Sequence, residues 1–188
     1  MTVVFGGSFN PPTIAHKLIA IKVIETFKVD NFVFLPVGDD YEKSELVSVK
    51  HRLKMLKLLT CDMKNVVISD LEANNKYGGT LNALNELSKS YKDIHFLIGA
   101  DQLNGLKTWI KYDELLRKYP FIVITRSGYE TNSQLLKDYP NTFTFVKMDF
   151  EGSSSMIRNN LDPKKELTTN DIYDYITANK LYKKENHV

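Results

Sequence analysis

Residues 6–16 read GGSFNPPTIAH and follow the apolar run Val3, Val4, Phe5, so glycines, a proline pair and a histidine arrive together where a strand would end. Gly6 and Gly7 have no side chain to keep an anion from the amide N–H groups near Gly7 and Ser8. Pro11 and Pro12 stiffen the segment and hold Asn10 and Pro11 extended until a helix starts near Thr13. Thr13 is placed as an N-cap, with its hydroxyl accepting from an amide about one turn further on. His16 then falls in the first helical turn, where free N–H groups and the positive end of the helix dipole favour a bound phosphate. The plainer alternative is a tight glycine turn, with His16 a helix-start residue bonded to the loop.

A triphosphate needs its charge met from more than one loop, and residues 152–158, GSSSMIR, are suited to that. Ser153, Ser154 and Ser155 offer hydroxyls and N–H groups while capping a helix. Arg158 adds a planar permanent charge about one turn beyond Ser154 or Ser155, on the same face. Alone, the segment also fits a serine-rich cap with a surface arginine. Between the two lie Gly99, which allows close approach at a strand end, and Asp101, placed to accept from ribose hydroxyls. Trp109, the sole tryptophan, can stack on a flat heterocycle or pack as a core residue. Lys43 either reaches a phosphate or stands in solvent.

These residues need a frame that gathers them. Strand-like runs at 3–5, 32–35, 66–68, 94–98, 121–124 and 144–146 alternate with helical pattern, notably at 49–59, 81–91, 113–118 and 172–178. Such alternation predicts βαβ units. The expected fold is α/β, a Rossmann-like, doubly wound, mostly parallel sheet with helices on both faces, in one domain spanning 1–188. Leu18, Ile19, Ala20, Val23, Ile24 and Phe27 give the first helix a broad apolar side for the sheet. Right-handed crossovers bring the segments after Phe5, Leu35, Ile98 and Ile124 to one rim, the predicted active site.

Composition narrows the partners. At 188 residues with net charge +2, and with lysines spread along the chain, nothing argues for a nucleic acid or a membrane surface. Cys61, the only cysteine, follows Leu58 and Leu59 and is expected to be a small buried residue; no internal disulfide can form. No basic region followed by a long apolar segment opens the sequence, so the expected location is cytoplasmic. His51, His95 and His187 show no metal-ligand spacing. Ile172, Tyr175 and Ile176 either close the core or form a homo-oligomer contact.

The run Gly7, Ser8, Phe9, Asn10, Pro11, followed by Thr13 and His16, resembles the first signature of the HxGH-type nucleotidyltransferases, with Thr13 in the first histidine position and Ala15 replacing the glycine. Residues 152–158 resemble the second, Ile-Ser-Ser-Thr-x-Ile-Arg, with Gly152 replacing the isoleucine and Ser155 the threonine. With Gly99, Ala100, Asp101, Trp109 and the later TRSGY run, the chain is similar over nearly its whole length to bacterial nicotinate-nucleotide adenylyltransferases. The resemblance implies that His16 is the principal phosphate-binding histidine, that Asp101 contacts ribose, that Trp109 stacks on the pyridine ring, and that Arg126 lies near the adenine pocket. Tyr77 and Thr80 stand where the family carries a Ser-Tyr-Thr-like segment at the mononucleotide pocket. A common Pro-Pro-His-Lys segment is replaced by PVGDDYEK at 36–43.

The expected reaction is adenylyl transfer from ATP to nicotinate mononucleotide. His16 and the amides near Gly7 and Ser8 would hold the α-phosphate region, and Ser154, Ser155 and Arg158 the β and γ phosphates. Mg²⁺ is expected to be held mainly by the phosphates. Nicotinamide mononucleotide and phosphopantetheine remain alternative acceptors, cytidylyl transfer an alternative reaction, and a nucleotide-binding sensor an alternative role.

Overall fold

A computed structural model describes residues 1–41, 46–74, 77–125, 133–140, 142–148, 154–159 and 166–182. Six strands form one sheet: β1 (Thr2–Gly7), β2 (Asn31–Pro36), β3 (Val66–Ile68), β4 (Ile94–Gly99), β5 (Phe121–Thr125) and β6 (Phe143–Lys147). All five pairings are parallel, in the order β3-β2-β1-β4-β5-β6. The order reverses between β1 and β4, and a crevice opens at the carboxyl ends of strands on either side of such a point. The alternation read in the sequence thus folds as an all-parallel sheet, each predicted strand lying within an observed one.

Side chains alternate across the sheet, and both faces are covered. Val3 and Phe5 point with Phe32 and Phe34 into one core, against Ile19, Ala20 and Val23 of α1 (Ile14–Phe27) and Leu56 of α2 (Val49–Leu59). Val4, Val33 and Phe96 point the other way, against Leu81 and Leu84 of α4 (Thr80–Leu87) and Leu115 of α6 (Tyr112–Lys118). A smaller cluster joins Met55 and Leu59 of α2 to Ile172 and Ile176 of α9 (Asn170–Ala178). The short helices α3 (Leu71–Asn74), α5 (Ala100–Leu103), α7 (Ser133–Asp138) and α8 (Ser154–Asn159) follow strands or long connections.

Three expectations are corrected. Cys61 is exposed, because α2 stops at Leu59 and the turn after Thr60 carries the chain off the apolar face. Leu18 is 44% exposed, so the sheet-facing stripe of α1 is narrower than its apolar content suggested. The helical pattern at 81–91 ends as α4 at Leu87, where Ser88 caps it and turns follow through Ser90.

Candidate active site

Gly6 and Gly7 do not turn. Both are the last extended residues of β1, and the turn falls on Phe9, whose φ is 45°. What requires glycine at position 6 is packing: an added Cβ would lie 2.8 Å from the Phe96 ring on the neighbouring strand. The bare end of β1 then runs into a loop that delivers Thr13 and His16 to the start of α1.

Thr13 is the N-cap, but the bonding differs from expectation. The Thr13 amide donates to His16 Nδ1 at 2.9 Å, and Thr13 Oγ1 lies 2.8 Å from the same nitrogen. An amide can only donate, so Nδ1 is the acceptor and the proton of neutral His16 sits on Nε2. Thr13 is buried and orients His16 rather than offering its hydroxyl to an anion. Phe5 and Phe9 flank the imidazole, with ring centroids 5.9 and 5.2 Å away. Burial lowers its pKa to about 4, so at neutral pH the ring is an uncharged N–H donor.

The second phosphate motif meets the first loop directly. Ser154 Oγ donates to Pro11 O at 2.7 Å, and Arg158 Nη1 donates to Asn10 O at 2.6 Å. Asn10 is itself 1% exposed, and its Oδ1 accepts from the Val47 amide at 3.2 Å and from the Tyr182 hydroxyl at 2.8 Å. Ser155 and Met156 are exposed on α8, whereas Ile157 is buried and seats the helix. The Ser154 hydroxyl proton, expected to face a phosphate, is taken by Pro11 in this structure.

Thr13, His16, Ser154, Ser155 and Arg158 line one cavity of about 1470 Å³ at the carboxyl ends of β1 and β4. This exceeds the roughly 300–1,000 Å³ usual for a single small ligand, leaving room for two. Gly6, Gly7, Ser8, Phe9, Thr13, His16, Ser154, Ser155 and Arg158 form one side. Gly99, Asp101, Tyr77, Thr80 and Trp109 also line it. Gly99 caps α5, and the space where its Cβ would stand is taken by the Asp101 carboxylate, so the glycine admits Asp101 rather than a ligand. Trp109 packs edge-on against Phe96 at 6.2 Å while contributing to the cavity wall. Tyr77 is anchored by its amide, which donates to Asp40 Oδ2 at 2.7 Å. Lys43, Arg126 and Ser153 lie outside the described residues.

Comparison with known proteins agrees with this geometry. The family described as cytidylyltransferase-like matches residues 4–160. A protein named as a probable nicotinate-nucleotide adenylyltransferase from Acholeplasma laidlawii is 39% identical over 183 residues, covering 97% of both chains. This chain belongs to the nicotinate-nucleotide adenylyltransferases, within the cytidylyltransferase-like family. A second such protein, from Clostridium acetobutylicum, is 34% identical over 95% of this chain and 97% of its own. The nicotinic acid mononucleotide adenylyltransferase of Plasmodium falciparum, solved with NaAD, shares the fold with a TM-score of 0.83 at 21% identity, over 96% of each chain.

Two wall residues, Asp40 and Glu72, and one buried residue behind them, Arg52, were not anticipated. Arg52 is fully buried and donates to the carbonyls of Val47, Ser8, Val37 and Gly38, and to Asp39 Oδ1 at 3.0 Å. It thereby holds the loop after β1 to the loop after β2. Its spacing was a usable signal, since Arg52, Met55, Leu56 and Leu59 form one helical stripe and all four are buried. Asp40 and Glu72 line the cavity beside Tyr41 and Tyr77. Glu72 is 8% exposed, and burial together with the Asp40 charge pushes its carboxyl up to about 7.

Proposed function

We propose that the protein transfers the adenylyl group of ATP to nicotinate mononucleotide, giving nicotinate adenine dinucleotide and pyrophosphate in NAD biosynthesis, a cytoplasmic reaction. The observation that carries this reading is one cavity lined by His16, Ser155 and Arg158 together with Tyr77, Thr80 and Trp109, with volume enough for both substrates.

A phosphate oxygen of the mononucleotide attacks the α-phosphorus of ATP in line; the bond from that phosphorus to the β-bridging oxygen breaks, and pyrophosphate leaves. No covalent intermediate on the protein is needed. His16 Nε2–H donates to an oxygen on the α-phosphorus, where negative charge grows in the transition state, and Thr13 fixes its direction. Ser155 and Arg158 hold the departing β and γ phosphates, while Trp109 and the Tyr77–Thr80 segment hold the pyridine end. Asp101 accepts from a ribose hydroxyl.

The donors facing the cavity are hydroxyls, amides, an imidazole and a guanidinium, which complement phosphate oxygens. Among the described residues no group of three or more His, Cys, Asp or Glu could hold a metal ion. Mg²⁺ would enter with ATP on its phosphates, where it would neutralise charge on the transferring and departing groups.

The test is pyrophosphate release from ATP and Mg²⁺ with nicotinate mononucleotide, nicotinamide mononucleotide and phosphopantetheine in parallel. Preference for the first is expected. Preference for either other acceptor, or no release with any, overturns the reading.

A further inference from the structure

Glu72 is a buried acid with one oxygen unpaired among the described residues. Its Oε2 has no hydrogen-bond partner among the described residues, and its side chain is 8% exposed on the wall of the cavity. A buried polar atom left unpaired is costly, and a carboxylate more so than most.

Among the described residues, the groups around it do not supply the missing charge. Asp40, in the loop after β2, bears the same sign and lies close enough to raise the Glu72 pKa. Asp39, in the same loop, is engaged by Arg52, whose guanidinium also takes the Val37 and Gly38 carbonyls. Tyr77, N-terminal to α4, is also held in its neutral form, with burial the main cause and Tyr41 and Glu72 adding to it. A cation delivered by a ligand would complete the site.

The shape of the wall says which cation. Tyr41 and Tyr77 meet edge to face with centroids 5.0 Å apart. Ile110, beside Trp109, stands 3.0 Å from where a Cβ on Gly79 would be, which joins the tryptophan segment to the Tyr77–Thr80 segment. Aromatic walls with a carboxyl suit a flat or quaternary cation better than a hydrated ammonium. In a pyridine mononucleotide the ring nitrogen is bonded to ribose and is therefore positively charged. Reduction to the 1,4-dihydropyridine removes that charge and leaves the outline of the molecule nearly unchanged.

We propose that Glu72 is the charge partner of the pyridinium ring, so that the site selects the oxidised mononucleotide over its dihydro form. This rests on the adenylyl-transfer reading above. Binding of the oxidised ring draws Glu72 to its carboxylate, with release of a proton; the reduced ring does not.

Two measurements test it. First, kcat/KM is compared for nicotinate mononucleotide and its 1,4-dihydro form in wild type and Glu72→Gln, which keeps size and polarity. Wild type should prefer the oxidised ring, and the variant should lose about tenfold of that preference, the change carried by one pKa unit. An unchanged preference in an active variant overturns the proposal while leaving the adenylyl-transfer reading intact. Absence of wild-type activity on nicotinate mononucleotide removes both. Second, and independent of how the variant folds, calorimetry of wild type near pH 7 in two buffers of different ionisation enthalpy counts protons released on binding each mononucleotide. Both carry the same phosphate, so the difference isolates the ring. More release with the oxidised form is expected; equal release overturns the proposal.

Discussion

The Thr13 amide donates to His16 Nδ1 at 2.9 Å, and this one bond decides which face of the imidazole carries the proton. A cap that serves helix α1 is also the device that aims Nε2–H at the cavity. Stability and chemistry therefore meet in the same pair of residues.

Acid should reveal the pair. Unfolded histidine takes a proton below about 6.5, whereas buried His16 resists until about 4. Between those values the unfolded chain binds the extra proton, so stability is full above the window and falls as pH drops through it. The loss attributable to His16 is at most about 3 kcal/mol. His16→Asn retains an acceptor for the Thr13 amide without titrating, so its melting temperature should fall less between pH 7 and 4. Parallel curves for the two proteins would assign the loss elsewhere. Glu72 works in the opposite sense, since its raised pKa costs stability as pH rises from about 4.5 to 7, and it is common to both proteins.

Turnover should separate donor from orienter. His16→Ala removes a preorganised donor and should lower kcat by roughly 10² to 10³. Thr13→Val keeps the backbone amide bond and loses only the hydroxyl, worth about 0.5–1.5 kcal/mol, so a drop of up to roughly tenfold is expected. Equal losses in the two variants would contradict the division of roles.

Arg52→Met should cost about 3 to 5 kcal/mol in urea unfolding, because it strips four buried or half-buried carbonyls and Asp39 of one guanidinium. A cost under about 1 kcal/mol would mean that water replaces it.

Gly6→Ala should destabilise by about 1–3 kcal/mol through the Phe96 ring. Combining it with Phe96→Leu should recover part of that loss, a coupling that additive behaviour in a double-mutant cycle would refute.

The sheet was readable because each strand is an apolar run bounded by polar or turn residues, and α2 because its stripe and limits are sharp. The cavity positions of His16 and Arg158 were readable because both stand in short motifs of the sequence. Glu72 was not: the segment LEANNKYGG around it has no periodicity, and its burial arises only when α3 settles against the β2 loop. Cys61 misled for the related reason that a helix end turns a neighbour of leucines into a surface residue. Arg52 lay in plain view on an apolar stripe, and only the tertiary contact of two loops explains a guanidinium there.

Asn10 is met by Val47, Arg158 and Tyr182, which lie 37, 148 and 172 positions further along the chain. During synthesis the phosphate loop therefore emerges long before most of the residues that hold it, and loop closures of that span are slow to form. A ribosome carrying the first hundred residues would display β1 and α1 with Asn10 still lacking Arg158 and Tyr182. Affinity for ATP should thus appear late in translation, so that a half-made chain does not sequester the nucleotide.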